Sequence, residues 1–191
     1  FQDTVKAFNI ETELIDAFLK SMEMDLQDIE YAQDSYNEYI YGSAEVVGLM
    51  CLRVFCNGDD EMYQRLKQPA RHLGAAFQKV NFLRDIKDDY LTRGRTYFPN
   101  VNLGLALDEH AKAEIEKDIE LDFDLAYKGI IQLPKGSRIG VLTAYRFYRN
   151  LFNKIRRVKP KEILETRVRV SNAEKAMLLL GSVMSNKLNL L

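Results

Sequence analysis

The 191-residue chain contains no tryptophan, only four prolines, two cysteines and two histidines, and almost no net charge, since 27 Lys and Arg stand against 28 Asp and Glu. Each shortage excludes something. A balanced charge argues against a nucleic-acid partner held by phosphate neutralisation, whose footprint is strongly basic. Cys51 and Cys56 lie five apart in what reads as one helix and point to different faces, so they form no bridge within it, and this usage fits a reducing, cytoplasmic setting. The most apolar runs, Val46 to Leu52 and Ala176 to Leu180, fall far short of the ~18 residues of a membrane span, so an integral membrane protein is not expected. No signal peptide opens the chain. Phe1 stands where Met would, and a bulky second residue normally keeps its initiator Met, so further residues are expected upstream. His72 and His110 have no nucleophile or second metal ligand at useful spacing and read as surface or helix-end residues without a role. No Gly-rich nucleotide motif occurs.

What is present is an ordinary globular composition, 47% apolar and 29% charged, in a length that predicts one domain over residues 1–191. Between the prolines the apolar residues recur at helical rather than alternating spacing. The expected fold is therefore all-α, a bundle with helices over residues 10–26, 35–56, 60–67, 69–92, 108–132, 136–158 and 172–189. Asn57-Gly58-Asp59 closes the second helix and caps the third, Pro69 suits a first turn, and Pro134-Lys135-Gly136 separates the fifth from the sixth. Charge is uneven along the chain. Asp108 to Asp124 holds eight acids against Lys112 and Lys117, and reads as a solvated helix face. Asn150 to Val170 is basic, with seven Lys and Arg against Glu162 and Glu165, and is either plain surface or a contact for anions.

The stretch NFLRDIKDDYLTRGRTYFP, Asn81 to Pro99, is the most informative. At 100° per residue Gln78, Asn81, Asp85 and Asp89 share an arc of about 80°, while Leu73, Ala76, Val80, Leu83 and Tyr90 take the opposite side and Lys79, Arg84 and Lys87 stand off the stripe. A helix buried on most sides must compensate inward carboxylates. Two Asp at i and i+4 with amide oxygens beside them supply hard ligands for Mg2+, an ion that completes its shell with waters and substrate phosphate oxygens. A diphosphate ligand follows, with Arg84, Arg93 and Arg95 available for its remaining charge. Asp118 and Asp122 have the same spacing without the amide neighbours, and are taken with the solvated face.

These residues carry a resemblance. The pattern N-x-x-R-D-x-x-x-D followed by R-G-R-x-Y resembles the second aspartate-rich motif of the squalene and phytoene synthases, bacterial phytoene synthases most of all. Tyr39 to Gly48 resembles the family's Y-x-Y-x-V-A-G-x-V-G helix, Ser21 to Leu26 a weaker G-M-x-M-D-L element, and Tyr148 with Arg167-Val168 a Tyr and an Arg of the family's last third. The resemblance implies an all-helical terpenoid (isoprenoid) synthase fold around a cavity, and head-to-head condensation of two geranylgeranyl diphosphates to phytoene through a cyclopropyl diphosphate. It implies Asn81, Asp85 and Asp89 as Mg2+ ligands, Gln78, Arg84, Arg95, Tyr97 and Arg167 as substrate-binding residues, and Tyr39, Tyr41 and Tyr148 at the reacting carbons. Farnesyl diphosphate condensation by a squalene or dehydrosqualene synthase is the alternative within the class, and a noncatalytic helical binding module the alternative outside it. Two departures stand out. Nothing before Tyr39 supplies the family's other D-x-x-x-D pair, so the chain is expected to be the C-terminal two-thirds of the enzyme and to turn over poorly alone. Ser43 and Glu45 replace an apolar and a Gly position, and Glu45 either pairs with an Arg or faces outward. A peripheral membrane contact would suit a hydrocarbon product, with the basic Lys154 to Lys161 run as its support. Nothing in the sequence specifies an oligomeric state.

Overall fold

The structure, a computed structural model, describes residues 1–26, 33–93, 98, 107–163 and 165–188, with the side chains of 88–93 outside the description. Every regular element among them is helical: α1 (Gln2–Ala7), α2 (Thr12–Met24), α3 (Gln33–Ile40), a π-helical turn (Tyr41–Glu45), α4 (Val46–Cys56), α5 (Asp60–Arg93), α6 (Glu109–Ile130), α7 (Lys135–Arg156), α8 (Pro160–Ile163) and α9 (Asn172–Leu188). The boundaries are chemical. Asp108 accepts the Ala111 amide at 2.7 Å as the N-cap of α6, and Asn57 ends α4 in the left-handed conformation at φ 47°.

α5 is the axis of the fold, packed against α6 on one side and against α4 and the π turn on another, with α7 also in contact. Ala76, Val80 and Leu83 point from it into a core shared with Ile119 and Phe123 of α6 and Phe152 and Ile155 of α7, as the periodicity predicts. Two close crossings hold α4 and the π turn to α5. A Cβ on Gly48 would stand 2.8 Å from the Ala70 carbonyl oxygen, and one on Gly74 2.5 Å from that of Ala44, so only glycine permits the approach. By length and composition the run Gln33–Cys56 would reach across a membrane; in this fold its Ile40, Val46, Leu49 and Leu52 are buried and its Ala44 and Gly48 make the close crossings with α5.

Three sequence expectations change. The helices expected over 60–67 and 69–92 are one, because Pro69 continues α5 with its ring set against Gly129 of α6. The helix expected over 35–56 is interrupted by the π turn, and short α1 and α8 were not expected. α9 is inverted relative to the other helices. Its Ser182, Ser185 and Asn186 turn inward to Arg146 and Arg138 of α7, while Met177, Leu180, Met184 and Leu188 face outward.

Candidate functional site

Between α4, α5, α6 and α7 runs a groove of about 620 Å3 whose walls are almost wholly apolar, with Val47, Gly74, Phe77, Ile130, Leu133 and Ala144 among them. At one end it is floored by the buried cluster of Leu52, Tyr63, Leu66 and Leu133, against which Val141 packs. Toward the other end Gln78 enters the wall. Along α5, Gly74, Gln78, Asn81 and Asp85 follow one another within an arc of about 60°, so a single face of the helix passes from apolar groove to oxygen-bearing side chains.

Tyr148 of α7 marks that transition. Its ring stacks on Phe77, centroids 4.0 Å apart and planes at 15°, and its hydroxyl donates to Asn81 Oδ1 at 3.4 Å. One turn beyond, Asp85 lies between two guanidinium groups. Arg84 Nε donates to Oδ1 at 2.9 Å, and Arg167 Nε and Nη2 reach Oδ1 at 2.8 Å and Oδ2 at 3.1 Å. Arg167 belongs to the segment joining α8 to α9, which Lys87 ties down by donating to the Glu165 carbonyl at 2.6 Å. The site therefore pairs a hydrocarbon-lined groove with a cluster of one carboxylate, two amide side chains and two guanidiniums. Among the described residues no group of three or more His, Cys, Asp or Glu is placed to hold a metal, and Asp85 is the one carboxylate of the stripe whose side chain is described.

The expected residues do not all converge. Gln78, Asn81, Arg84, Asp85, Tyr148 and Arg167 come together. Tyr39 does not line the groove: it is buried with its hydroxyl donating to Asp25 at 3.1 Å and its ring 5.8 Å from Phe82. Tyr41 also lies outside the groove walls, packed against the cluster of Leu14 of α2 and Val46 and Leu49 of α4, with the Arg71 guanidinium 5.3 Å from its ring. The side chains of Asp89, Arg95 and Tyr97 lie outside the described residues. Glu45 pairs with Arg71 at 2.6 Å.

Sequence reasoning missed a second polar cluster. Asp122 is not on a solvated face; it is 5% exposed and accepts from Lys79 Nζ at 2.7 Å, while His72 Nδ1 stands 2.8 Å from its other oxygen. Lys79 also reaches Asp118. Burial works against the Lys79 ammonium, but Asp122 and Asp118 outweigh it and hold the group above its ordinary lysine value. The basic run is also partly spent within the fold, since Lys154 is held by Glu174 at 2.6 Å.

The model of the squalene/phytoene synthase family matches residues 1–174. The chain belongs to this family. Among curated relatives it is 29% identical to a 15-cis-phytoene synthase of Pantoea ananas over 95% of this chain and 62% of that protein. It is 32% identical to a 15-cis-phytoene synthase of a Paracoccus strain over 84% and 55%, and 30% identical to a chloroplastic phytoene synthase of an Oncidium hybrid over 92% and 46%. The chain thus spans about half to three-fifths of the length of these relatives. Among solved structures it resembles a dehydrosqualene synthase crystallised with a ligand, at 23% identity and a TM-score of 0.75 over 94% of this chain and 66% of that one. It also resembles squalene synthase HpnC of Alicyclobacillus acidocaldarius, at 22% and 0.69 over 82% and 63%. These likenesses establish the all-helical isoprenoid-synthase fold.

Proposed function

We infer that this squalene/phytoene synthase chain holds the prenyl diphosphate of a synthase that joins two geranylgeranyl diphosphates head to head to form phytoene. The observation that carries the reading is the continuity of the groove face of α5, apolar at Ala70, Gly74 and Phe77 and oxygen-bearing at Gln78, Asn81 and Asp85. A hydrocarbon tail and an anionic head find matching surroundings on one helix. The identity to phytoene synthases supports the choice of substrate.

The donors present suit Mg2+. The Asp85 carboxylate and the Asn81 amide oxygen are hard ligands one turn apart, and the two guanidiniums gathered at Asp85 mark a local demand for positive charge. Asn81, Asp85 and Asp89 would hold the ion, which when bound supplies charge neutralisation to the departing diphosphate. Arg84 and Arg167 exchange the Asp85 carboxylate for diphosphate oxygens. Tyr148 orients the Asn81 amide, and its ring with that of Phe77 presents an aromatic face at the mouth of the groove. The apolar walls offer an allylic cation few polar groups to capture it.

The chemistry balances. The C1–O bond of one substrate breaks to give an allylic cation and diphosphate, the double bond of the second attacks it, and loss of a proton closes the cyclopropane. The second C–O bond then breaks, the cation rearranges, and a second proton leaves, giving one hydrocarbon, two diphosphates and two protons. The test is product analysis on the full-length protein that carries this chain, with geranylgeranyl and farnesyl diphosphates offered in turn with Mg2+. A forty-carbon hydrocarbon from the first is expected, and a thirty-carbon product from farnesyl diphosphate alone would move the substrate to the squalene and dehydrosqualene type. The 191-residue chain by itself, spanning about half to three-fifths of the length of its relatives, is expected to bind substrate and turn it over slowly or not at all.

A further inference from the structure

Gly48 and Gly74 are explained by the helix backbones that touch them, and Gly136 and Gly140 are not. A Cβ on either would meet nothing within 4 Å, and neither has a positive φ, yet both stand in the first two turns of α7. Gly140, inside the helix, costs it about 1 kcal/mol relative to alanine. No packing or backbone reason requires them. What they have in common is the groove, whose wall both form.

Their position along the groove follows from two contacts. Tyr148 meets Phe77 and Asn81 at the polar end, while Val141 packs toward Leu66 and Leu133 at the floor, so α5 and α7 run the same way beside the groove. At ~1.5 Å per residue, Gly140 lies about 12 Å from Tyr148 and Gly136 about 18 Å. An extended isoprene unit adds four chain bonds of ~1.5 Å, a span of about 5 Å per unit once the zigzag is allowed for. A tail whose first carbon sits beside Asn81 therefore passes Gly140 with its third unit and Gly136 with its fourth.

We propose that Gly140 and Gly136 determine the length of prenyl chain the groove admits, the absent side chains leaving the room taken by the third and fourth isoprene units. The proposal rests on the prenyl diphosphate reading above and adds to it which residues select the substrate. A leucine at position 136 blocks the fourth unit and leaves three; a leucine at position 140 blocks the third and leaves two.

The test is calorimetric titration of the 191-residue chain, with Mg2+, by the non-ionising thiolodiphosphates of geranyl, farnesyl and geranylgeranyl chains. In Gly136→Leu the geranylgeranyl analogue is expected to weaken by about tenfold or more while the farnesyl analogue stays within about threefold. In Gly140→Leu both are expected to weaken and the geranyl analogue to hold. Leucine is the better helix former, and comparison of chain lengths within one variant separates clipping from misfolding, which would weaken all three together. Unchanged ratios in both leucine variants, or equal losses for every chain length, overturn the ruler while leaving the prenyl diphosphate reading in place. A wild-type chain that takes up none of the analogues overturns that reading, and the ruler falls with it.

Discussion

Asp85 and Asp122 are both followed or preceded by an aspartate four residues away on a long helix, and they have opposite fates. Asp122 is 5% exposed and is met by Lys79 and His72 from the helix packed against it. Asp85 keeps a fifth of its side chain exposed and is met by guanidiniums, one from the adjacent residue and one, 43% exposed, from the segment after α8. A buried carboxylate paired with a lysine across a helix interface is part of the fold, since removing either partner strands a charge. A carboxylate at the end of a groove, held by guanidiniums that also suit phosphate, can trade its partners for a ligand. Spacing along the helix is the same in both; depth and the exposure of the partner separate a structural acid from a binding one.

Substitutions can break or sharpen that contrast. The largest effect is expected for Lys79→Met, which leaves Asp122 buried without its cation and should cost about 3–5 kcal/mol in chemical denaturation. The sign with pH follows from the raised lysine value: the wild-type contribution is complete below the unfolded-state value, ~10.4, and disappears only as pH climbs through the higher folded-state one. Between pH 6 and 9 the wild type should therefore show no loss from this group. Asp85→Asn should leave the melting temperature nearly unchanged and weaken Mg2+-dependent binding of geranylgeranyl thiolodiphosphate by on the order of 10^2-fold, read by calorimetry. Unchanged activity of Asp85→Asn in the full-length protein would favour a noncatalytic binding module. Arg167→Ala should weaken the same binding by about tenfold, and inorganic diphosphate should report the loss as faithfully as the prenyl analogue, because the contact is with the head. Tyr148→Phe keeps the stack on Phe77 and removes only a long hydrogen bond, so a change of about threefold or less is expected. Far from the groove, Glu174 is held down to about 2 by the Lys154 bond first and by Ser171 next. Its anchoring of α9 should be intact above pH 4.5 and fade as pH falls toward 2, visible as earlier exchange of α9 amides in hydrogen–deuterium exchange.

The legible part of the fold was whatever lies within one helix. The stripe of Gln78, Asn81 and Asp85 and the core side of Ala76, Val80 and Leu83 follow from 100° per residue alone. Tyr39 and Tyr41 carried a signal that could have been used, since residues two apart on a helix point about 200° apart and cannot both face one cavity. What depends on a partner far along the chain was not legible. Pro69 reads as a helix start until Gly129 is seen beneath its ring, and His72 reads as idle until Asp122, 50 residues on, is found against it. The π turn at Tyr41–Glu45 has no sequence signature either, and it shifts which of those residues meet the groove.

The central claim is that a prenyl diphosphate lies with its head at Asp85 and its tail running toward Leu133. It is tested most directly by irradiating the chain with a geranylgeranyl diphosphate analogue carrying a photoreactive group at the tail end and mapping the adducts by mass spectrometry. Adducts on Leu66, Ile130 and Leu133, suppressed by excess geranylgeranyl diphosphate and lost in Asp85→Asn, are predicted. Adducts on the outward face of α9, at Met177 or Met184, that persist in Asp85→Asn would contradict it.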